Sequence, residues 1–428
     1  GTHLPDITLV APWAPEAGEI AGYVAARAHH SDVGGSRPGS MPSGSTEIFQ
    51  EGLIIPPVKL AEAGVVQDAV LDLILANVRT PAVRRGDIWA QVASIALGLQ
   101  RLSELAADYG TQAVMEGFRE TIAYGRRRSL AAIAALPDGT HRAERLIEGD
   151  GVSDADVPVR VKVEIAGDEI TIDFAGTSPA VPGNLNCPMS VTASACYFAL
   201  KVALGADVPA NAGTYSTVTI TAPEACLVNA RPPSAVVGGN VETSQAIADA
   251  VLSALSGATP VPAQGQGTMN NVVIGTPRWT YYETIGGGQG ASSSGAGPSG
   301  VHAGMSNTLN TPIEALELEY PMRIERQQLL YGSGGNGRHR GGDGIERAVT
   351  VLEPATLSLL TDRRRRGPEG SLGGSGGRPG RNLLNGKDLK AKADVNLDAG
   401  DTLTVETPGG GGWGPVQDPT LPGAEGRL

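Results

Sequence analysis

The sequence predicts an α+β chain in which a helical segment around residues 66–136 stands between β-rich N-terminal and C-terminal portions, a composite multi-domain subunit. Three observations predict it. Apolar residues recur at helical spacing only over Asp68–Ala76, Asp87–Tyr109 and Gln112–Leu136. Alternating apolar residues mark the flanking chain, as in Val159, Val161, Val163 and Ile165. After Met269, short strand-like runs alternate with glycine clusters.

In chain order, Ile7–Val10 and Glu19–Arg27 read as strands, punctuated by Pro12, Pro15 and Gly18. Gly34, Gly35 and the stretch 38–44 form a loop, and Ile48–Leu60 returns to extended chain through Pro56 and Pro57. Pro81 and Gly110 divide the helices. Val157–Phe174 is a hairpin turning at Gly167 and Asp168. Pro188–Leu204 reads as a buried helix with Cys196 on its apolar face, and Val218–Ile220 as a strand. Val241–Ser256 is a second helix, with Glu242 in its first turn, where a negative charge suits the dipole. Arg347–Leu352, Thr356–Leu360 and Asp401–Glu406 are strands, and the residues past Trp413 a tail. The expected boundaries are 1–65 for strands and loops, 66–150 helical, 151–265 mixed, 266–415 glycine-rich β and 416–428 tail.

The formal charge is -12 and the pI about 5.1, which argues against nucleic acid or an anionic membrane surface as partner. The short basic run Arg363–Arg366 reads as a solvated loop or subunit contact. Cys187, Cys196 and Cys226 form no C-x-x-C pair, so a reducing cytoplasm is expected. No apolar run reaches the roughly 18 residues of a membrane span, and no signal peptide is visible. Residue 1 already lies within a site-like motif, so an upstream region is expected to belong with it.

The densest chemistry lies in residues 1–60. Three of the six histidines are there, each within three residues of an aspartate. His3 and Asp6, separated by Pro5, can converge through a turn, and imidazole with carboxylate suits zinc, manganese or iron. His29 or His30 can supply a third ligand. In a strand the two point to opposite faces, and the sequence leaves open which one binds. Asp32 is a candidate acceptor for an imidazole N–H. Glu47 and Glu51 are candidate general bases, with surface carboxylates as the ordinary alternative. Asn307, Asn310 and Thr311 can hold an amide or carboxylate, and a turn network explains them equally well. The glycine clusters contain no G-x-x-x-x-G-K-[ST] and no G-x-G-x-x-G between strand and helix. Gly373–Gly377 matches G-x-S-x-G only by chance. The stretch 332–342, with Arg338 and Arg340, is a candidate anion loop.

These segments resemble the hydantoinase B/oxoprolinase family. The resemblance is carried by Gly1-Thr2-His3-Leu4-Pro5-Asp6, Ala28-His29-His30-Ser31-Asp32-Val33-Gly34-Gly35, Pro38-Gly39-Ser40-Met41-Pro42 and Glu47-Ile48-Phe49-Gln50-Glu51-Gly52. It continues through Gly239-Asn240-Val241-Glu242-Thr243-Ser244-Gln245, Asn307-Thr308-Leu309-Asn310-Thr311-Pro312 and Thr407-Pro408-Gly409-Gly410-Gly411-Gly412. It implies the metal-containing subunit of a two-subunit enzyme, with His3, Asp6 and one of His29 or His30 as ligands. It further implies a hydantoinase A-type partner that binds ATP and phosphorylates a hydantoin, N-methylhydantoin, 5-oxoproline or lactam, in an α2β2 assembly. Water then opens the ring, with glycine-loop amides available for the oxyanion. The alternatives are an ATP-dependent ketone carboxylase subunit and a non-catalytic scaffold. The family usually carries an additional N-terminal region ending in Asn-Asp-Pro, which is absent from these 428 residues.

Overall fold

The computed structural model describes residues 2–15 and 19–416; Gly18 and the predicted tail beyond residue 416 lie outside the described residues. The chain begins with an antiparallel ladder of β1 (Asp6–Trp13) and β2 (Gly22–His29). Ile48–Leu60 is not extended throughout: it opens with a single 3-10 turn over Ile48–Gln50. A two-residue ladder follows, β3 (Ala61–Glu62) with β4 (Val65–Val66). Then come α1 (Asp68–Leu75), α2 (Pro81–Tyr109) and α3 (Thr111–Ala134), close to the periodicity reading. Gly110 joins the two long helices at φ +85°, a left-handed value that suits glycine. The underside of the first ladder lies on α2, where Gly98 leaves room for Val24.

A four-stranded sheet follows, ordered β5 (Gly139–Glu148), β6 (Asp156–Ala166), β7 (Glu169–Asp173) and β8 (Val218–Thr221). The block 66–150 is thus not helical throughout: β5 lies in it but pairs along its length with β6. The signal was weak because alternate positions of β5 are His141, Arg145 and other polar residues. α6 (Ser244–Leu255) packs on this sheet, α4 (Met189–Leu204) packs on α6, and the short α5 (Ala212–Tyr215) abuts α3. Val159, Val163, Ile172, Cys196, Ile247 and Val251 form the centre of this core. All three cysteines are free and buried, as small hydrophobes are.

The C-terminal half contains two antiparallel sheets. One is ordered β10 (Thr280–Thr284), β9 (Asn271–Gly275), β13 (Ala355–Leu360), β16 (Lys392–Leu397). The other is β11 (Met322–Leu330), β12 (Gly344–Val351), β17 (Thr402–Glu406), β14 (Arg381–Leu384), β15 (Lys387–Leu389), with α7 (Ile313–Glu319) before β11. Ile274, Leu357 and Leu359 from one meet Val349, Leu403 and Val405 from the other.

The glycine clusters assemble into one body in which main chain packs on main chain. Gly410 N–H donates to Gly342 O (2.8 Å) and Gly335 N–H to Gly410 O (2.8 Å), while Gly412 N–H donates to Ser375 O (2.9 Å). A Cβ on Gly410 would lie 2.1 Å from Gln289 O, and one on Gly412 2.2 Å from Asn336 O. This corrects two expectations. The glycine amides of Gly334, Gly335, Gly341, Gly342 and Gly409–Gly412 already have acceptors within the chain, so they are not an oxyanion cradle. Arg340 of the candidate anion loop is paired with Asp343 (2.5 Å).

The basic run is also not simply solvated. Arg363 is buried against Asp249 (2.5 Å), and Arg364 reaches Asn270 and Asn382. Glu148 accepts the backbone N–H groups of Arg364, Arg365 and Arg366. Among the described residues no helix is long and apolar enough to cross a membrane.

Candidate metal centre

The register of the first ladder sets Asp6 opposite His29, on one face. A tight turn, Asp6 N–H to His3 O (3.3 Å), brings His3 back over Asp6. His29 Nδ1 lies 3.1 Å from Asp6 Oδ1, and His3 Nδ1 lies 3.3 Å from Asp6 Oδ2. Ligand atoms of the three residues fall within 4.8 Å of one another. Two ligands each about 2.1 Å from an ion at near right angles stand about 3 Å apart, so these separations suit a shared cation. His3 is buried, and its Nδ1 has no aligned hydrogen bond despite its closeness to Asp6. An orphaned ring nitrogen beside a carboxylate fits a metal-ligating role.

Charge follows from the surroundings. Burial lowers the pKa of His3 against the pull of Asp6, keeping its imidazole neutral and its lone pair free. Burial works to raise Asp6, but its close contacts with His29 and His3 and the hydrogen bond from Thr2 outweigh it and hold the carboxyl well below the usual range. Thr2 Oγ1 donates to Asp6 Oδ2 at 2.7 Å. The Tyr282 ring covers His29, with centroids 4.9 Å apart, and Tyr282 O–H donates to Asn271 (2.7 Å). Behind His3, Nε2 lies 3.5 Å from the side-chain amide of Asn240.

The hydantoinase B/oxoprolinase family model matches residues 1–416. The chain belongs to this family. It is 41% identical to an uncharacterized protein of Methanocaldococcus jannaschii, over 97% of this chain and 74% of that one. It is 37% identical to 5-oxoprolinase 1 of Arabidopsis thaliana over 97% of its own length but 34% of that protein, so it spans about a third of this relative. One subunit of a putative D-/L-hydantoinase from a Pseudomonas species is 30% identical, over 96% of this chain and 74% of the relative. Among solved structures, the ATP-dependent caprolactamase of Pseudomonas jessenii superposes with a TM-score of 0.87 at 27% identity, covering 97% of this chain and 75% of that one.

In this hydantoinase B/oxoprolinase chain the other expected site residues are elsewhere. His30 is not in the cage. Strand alternation turns it to the underside, where Nε2 meets Gln91 Oε1 at 3.0 Å. Gln91 donates its own Nε2 to Ile7 O (3.0 Å), which leaves Oε1 as the acceptor, so His30 Nε2 carries the proton. Asp32, Glu47 and Glu51 form no hydrogen bond to His3, Asp6 or His29 among the described residues. Asp32 is instead a buried loop anchor. It accepts from Gly34 N (3.0 Å), Gly39 N (3.0 Å), Arg79 N (3.1 Å) and Arg79 Nη1 (2.9 Å). Glu47 is exposed and caps the 3-10 turn. Glu51 is buried, accepts from Ser45, Val236 N and Val237 N, and is pushed by burial to about 7. Asn310 donates to Glu283 (2.6 Å), the neighbour of Tyr282, while Asn307 and Thr311 are exposed.

Removing Asp32 would strand Arg79 and three backbone donors. An Asp32→Ala protein should lose about 3 kcal/mol of stability in urea unfolding, and a loss below about 1 kcal/mol would contradict the anchor role.

Sequence reasoning missed Asn240 and Tyr282. Gly239–Thr243 is a π-helical turn leading into α6, and such turns are over-represented at functional sites. The widened turn carries Asn240 to His3 and buries Glu242, whose Oε1 accepts from Thr268 Oγ1 (2.9 Å) while Oε2 has no partner among the described residues. Burial, then Asp362, raises Glu242 to about 8 against Lys392 and Arg364. Near pH 7 it is neutral, so the expected charge–dipole contribution is absent. A carboxyl raised in the folded state stabilises fully below its unfolded value of about 4.5, and that contribution is lost as pH rises through about 8. Glu242→Gln should therefore flatten the fall in melting temperature between about pH 5 and about pH 8.5; an unchanged slope would reassign it.

Proposed function

We propose that this chain is the metal-holding subunit of a two-subunit, ATP-dependent enzyme that opens a cyclic amide. The observation that carries the reading is the convergence of His3, Asp6 and His29 on one point. The caprolactamase and hydantoinase likenesses support the reaction class, and the hydantoinase relative's name as one subunit supports a second chain. In this reading an A-type partner binds ATP and transfers its γ-phosphoryl group to the ring amide oxygen, in an α2β2 assembly. Water adds to the activated carbon and the C–N bond breaks, with a proton passing to the leaving nitrogen. A second water releases phosphate from the resulting acyl phosphate.

His3, Asp6 and His29 would hold a divalent ion, zinc, manganese or iron, whose chemistry is Lewis-acid polarisation and a hydroxide nucleophile near neutral pH. Asp6 stays ionised, with one oxygen beside each imidazole. Asn240 and Tyr282 pack beside the rings of His3 and His29. The test is reconstitution with the co-purified partner. ADP and ring-opened product should appear in equal amounts, only when both chains and ATP are present. Turnover by this chain alone, or bicarbonate incorporation into a ketone in place of ring opening, would overturn the reading.

A further inference from the structure

A cavity of about 270 Å³ lies along α6, outside the metal cage. One face of this helix lines it: Gln245, Asp249, Leu252 and Ser253, with Ser256 just past its end, recur at three- and four-residue spacing. The remainder of α6 is packed in the core, so a polar stripe on it calls for a ligand or a solvent wall.

Gln245 is almost wholly buried. Its Oε1 accepts from Met305 N (3.3 Å), which fixes the orientation of the amide. Its Nε2 has no partner among the described residues. Gln245 lines the cavity, so this unsatisfied donor is left for a ligand there to meet. One turn along, Asp249 accepts from Arg363 through Oδ2, which leaves Oδ1 to face a ligand. Phe198, Val202 and Leu372 supply an apolar wall opposite. The charged groups on the lining are Asp249 and Glu369, while their partners Arg363 and Arg145 lie buried behind them. Each carboxylate is ion-paired, so the surface presented to a ligand is a donor, an acceptor and an apolar wall, with no unpaired cation on it.

We propose that this cavity is a second binding site that takes a small, neutral cyclic amide. The ring carbonyl accepts from Gln245, the ring N–H donates to Asp249, and the ring carbons lie against Phe198 and Val202. The lining offers no unpaired cation, so a ring that carries a carboxylate, and likewise the carboxylate product of ring opening, finds no partner there and is disfavoured. The choice of ligand rests on the cyclic-amide reading, but the site does not include the cage. Asn240, which touches His3, precedes Gln245 by five residues, so the cavity begins roughly 8 Å along the helix from the cage's support.

The experiment measures binding of hydantoin, 2-pyrrolidinone and 5-oxoproline to the purified full chain without metal, by saturation-transfer NMR with calorimetric titration. Hydantoin and 2-pyrrolidinone should bind, and 5-oxoproline at least about tenfold more weakly. Gln245→Met and the cavity-filling Val202→Trp should each weaken hydantoin at least about tenfold. Val202 stands at the partly exposed rim, so its variant tests the cavity if Gln245→Met misfolds by melting temperature. His3→Ala should bind hydantoin as the parent does. This separates the cavity from the cage: loss of metal or turnover with retained binding would damage only the enzymatic reading. Absence of hydantoin binding, equal binding of 5-oxoproline, undiminished binding by Val202→Trp, or loss of binding in His3→Ala would each overturn the proposal.

Discussion

On the proposed function, an Asp6→Ala protein is expected to purify without stoichiometric divalent metal, and ring-opening turnover reconstituted with the partner should fall at least about a thousandfold. Asp6 is the hinge of the cage. Its two oxygens face two different imidazoles, His29 at 3.1 Å and His3 at 3.3 Å. Alanine leaves two nitrogens with no anion between them, and a divalent ion then faces an incomplete and less negative set. The ladder should survive, because the backbone pairing of Asp6 with His29 does not use the carboxyl. Metal analysis after dialysis gives the first readout and coupled turnover the second. His30→Gln is the internal control. It points to Gln91 on the other face, so it should keep its metal. If His30→Gln lost the metal while His29→Ala retained it, the assignment of ligands would be reversed.

Gly410→Ala should destabilise the protein by more than about 4 kcal/mol and leave little soluble material. The added methyl would meet Gln289 O at 2.1 Å and Gln289 C at 2.3 Å, which are backbone atoms that no rotamer change can move. Gly410 also gives and receives main-chain bonds, to Gly342 and from Gly335, so displacement would break neighbouring segments as well. Gly117→Ala supplies the contrast. That glycine lies in α3 with no atom within 4 Å of the added carbon. There the same change should raise stability by about 1 kcal/mol through helix propensity. Chemical denaturation of both variants is the measurement, and similar effects of the two substitutions would refute the account of the glycine body.

The elements legible in the sequence were those with strong local periodicity. α1, α3, α4 and the β6–β7 hairpin depend on neighbours three, four or two residues away, and their patterns carry through to the structure. β5 escaped because its outward positions are charged and its inward ones are not uniformly apolar; its state was decided by pairing with β6. The glycine clusters were visible as runs, but their role was not. Loops of this composition can bind anions, and only the interlocking of four separate segments reveals that their amides are already used.

The same division holds at the candidate site. His3, Asp6 and the His29–His30 pair were readable because imidazole and carboxylate at short spacing are few and chemically distinctive in this chain. Asp32, Glu47 and Glu51 looked equally polar in sequence, yet they spend their oxygens on Arg79, a short turn and the Val236–Val237 amides. A carboxylate's partners across long sequence separations are not written in its neighbours. Asn240 and Tyr282 arrive from more than 200 residues away, which no local pattern reports.

By itself, then, the sequence determined the α+β class, the helical block and the family, and it narrowed the candidate cation ligands to a small set, since each depends on residue chemistry and short-range spacing. Tertiary structure alone decided that His29 rather than His30 faces Asp6, that Asp32 and Glu51 are anchors, and that α6 lines a polar cavity. The reason is physical: ladder register, burial and hydrogen-bond partners are set by which distant segments meet, and these choose among side chains that are chemically equivalent along the chain.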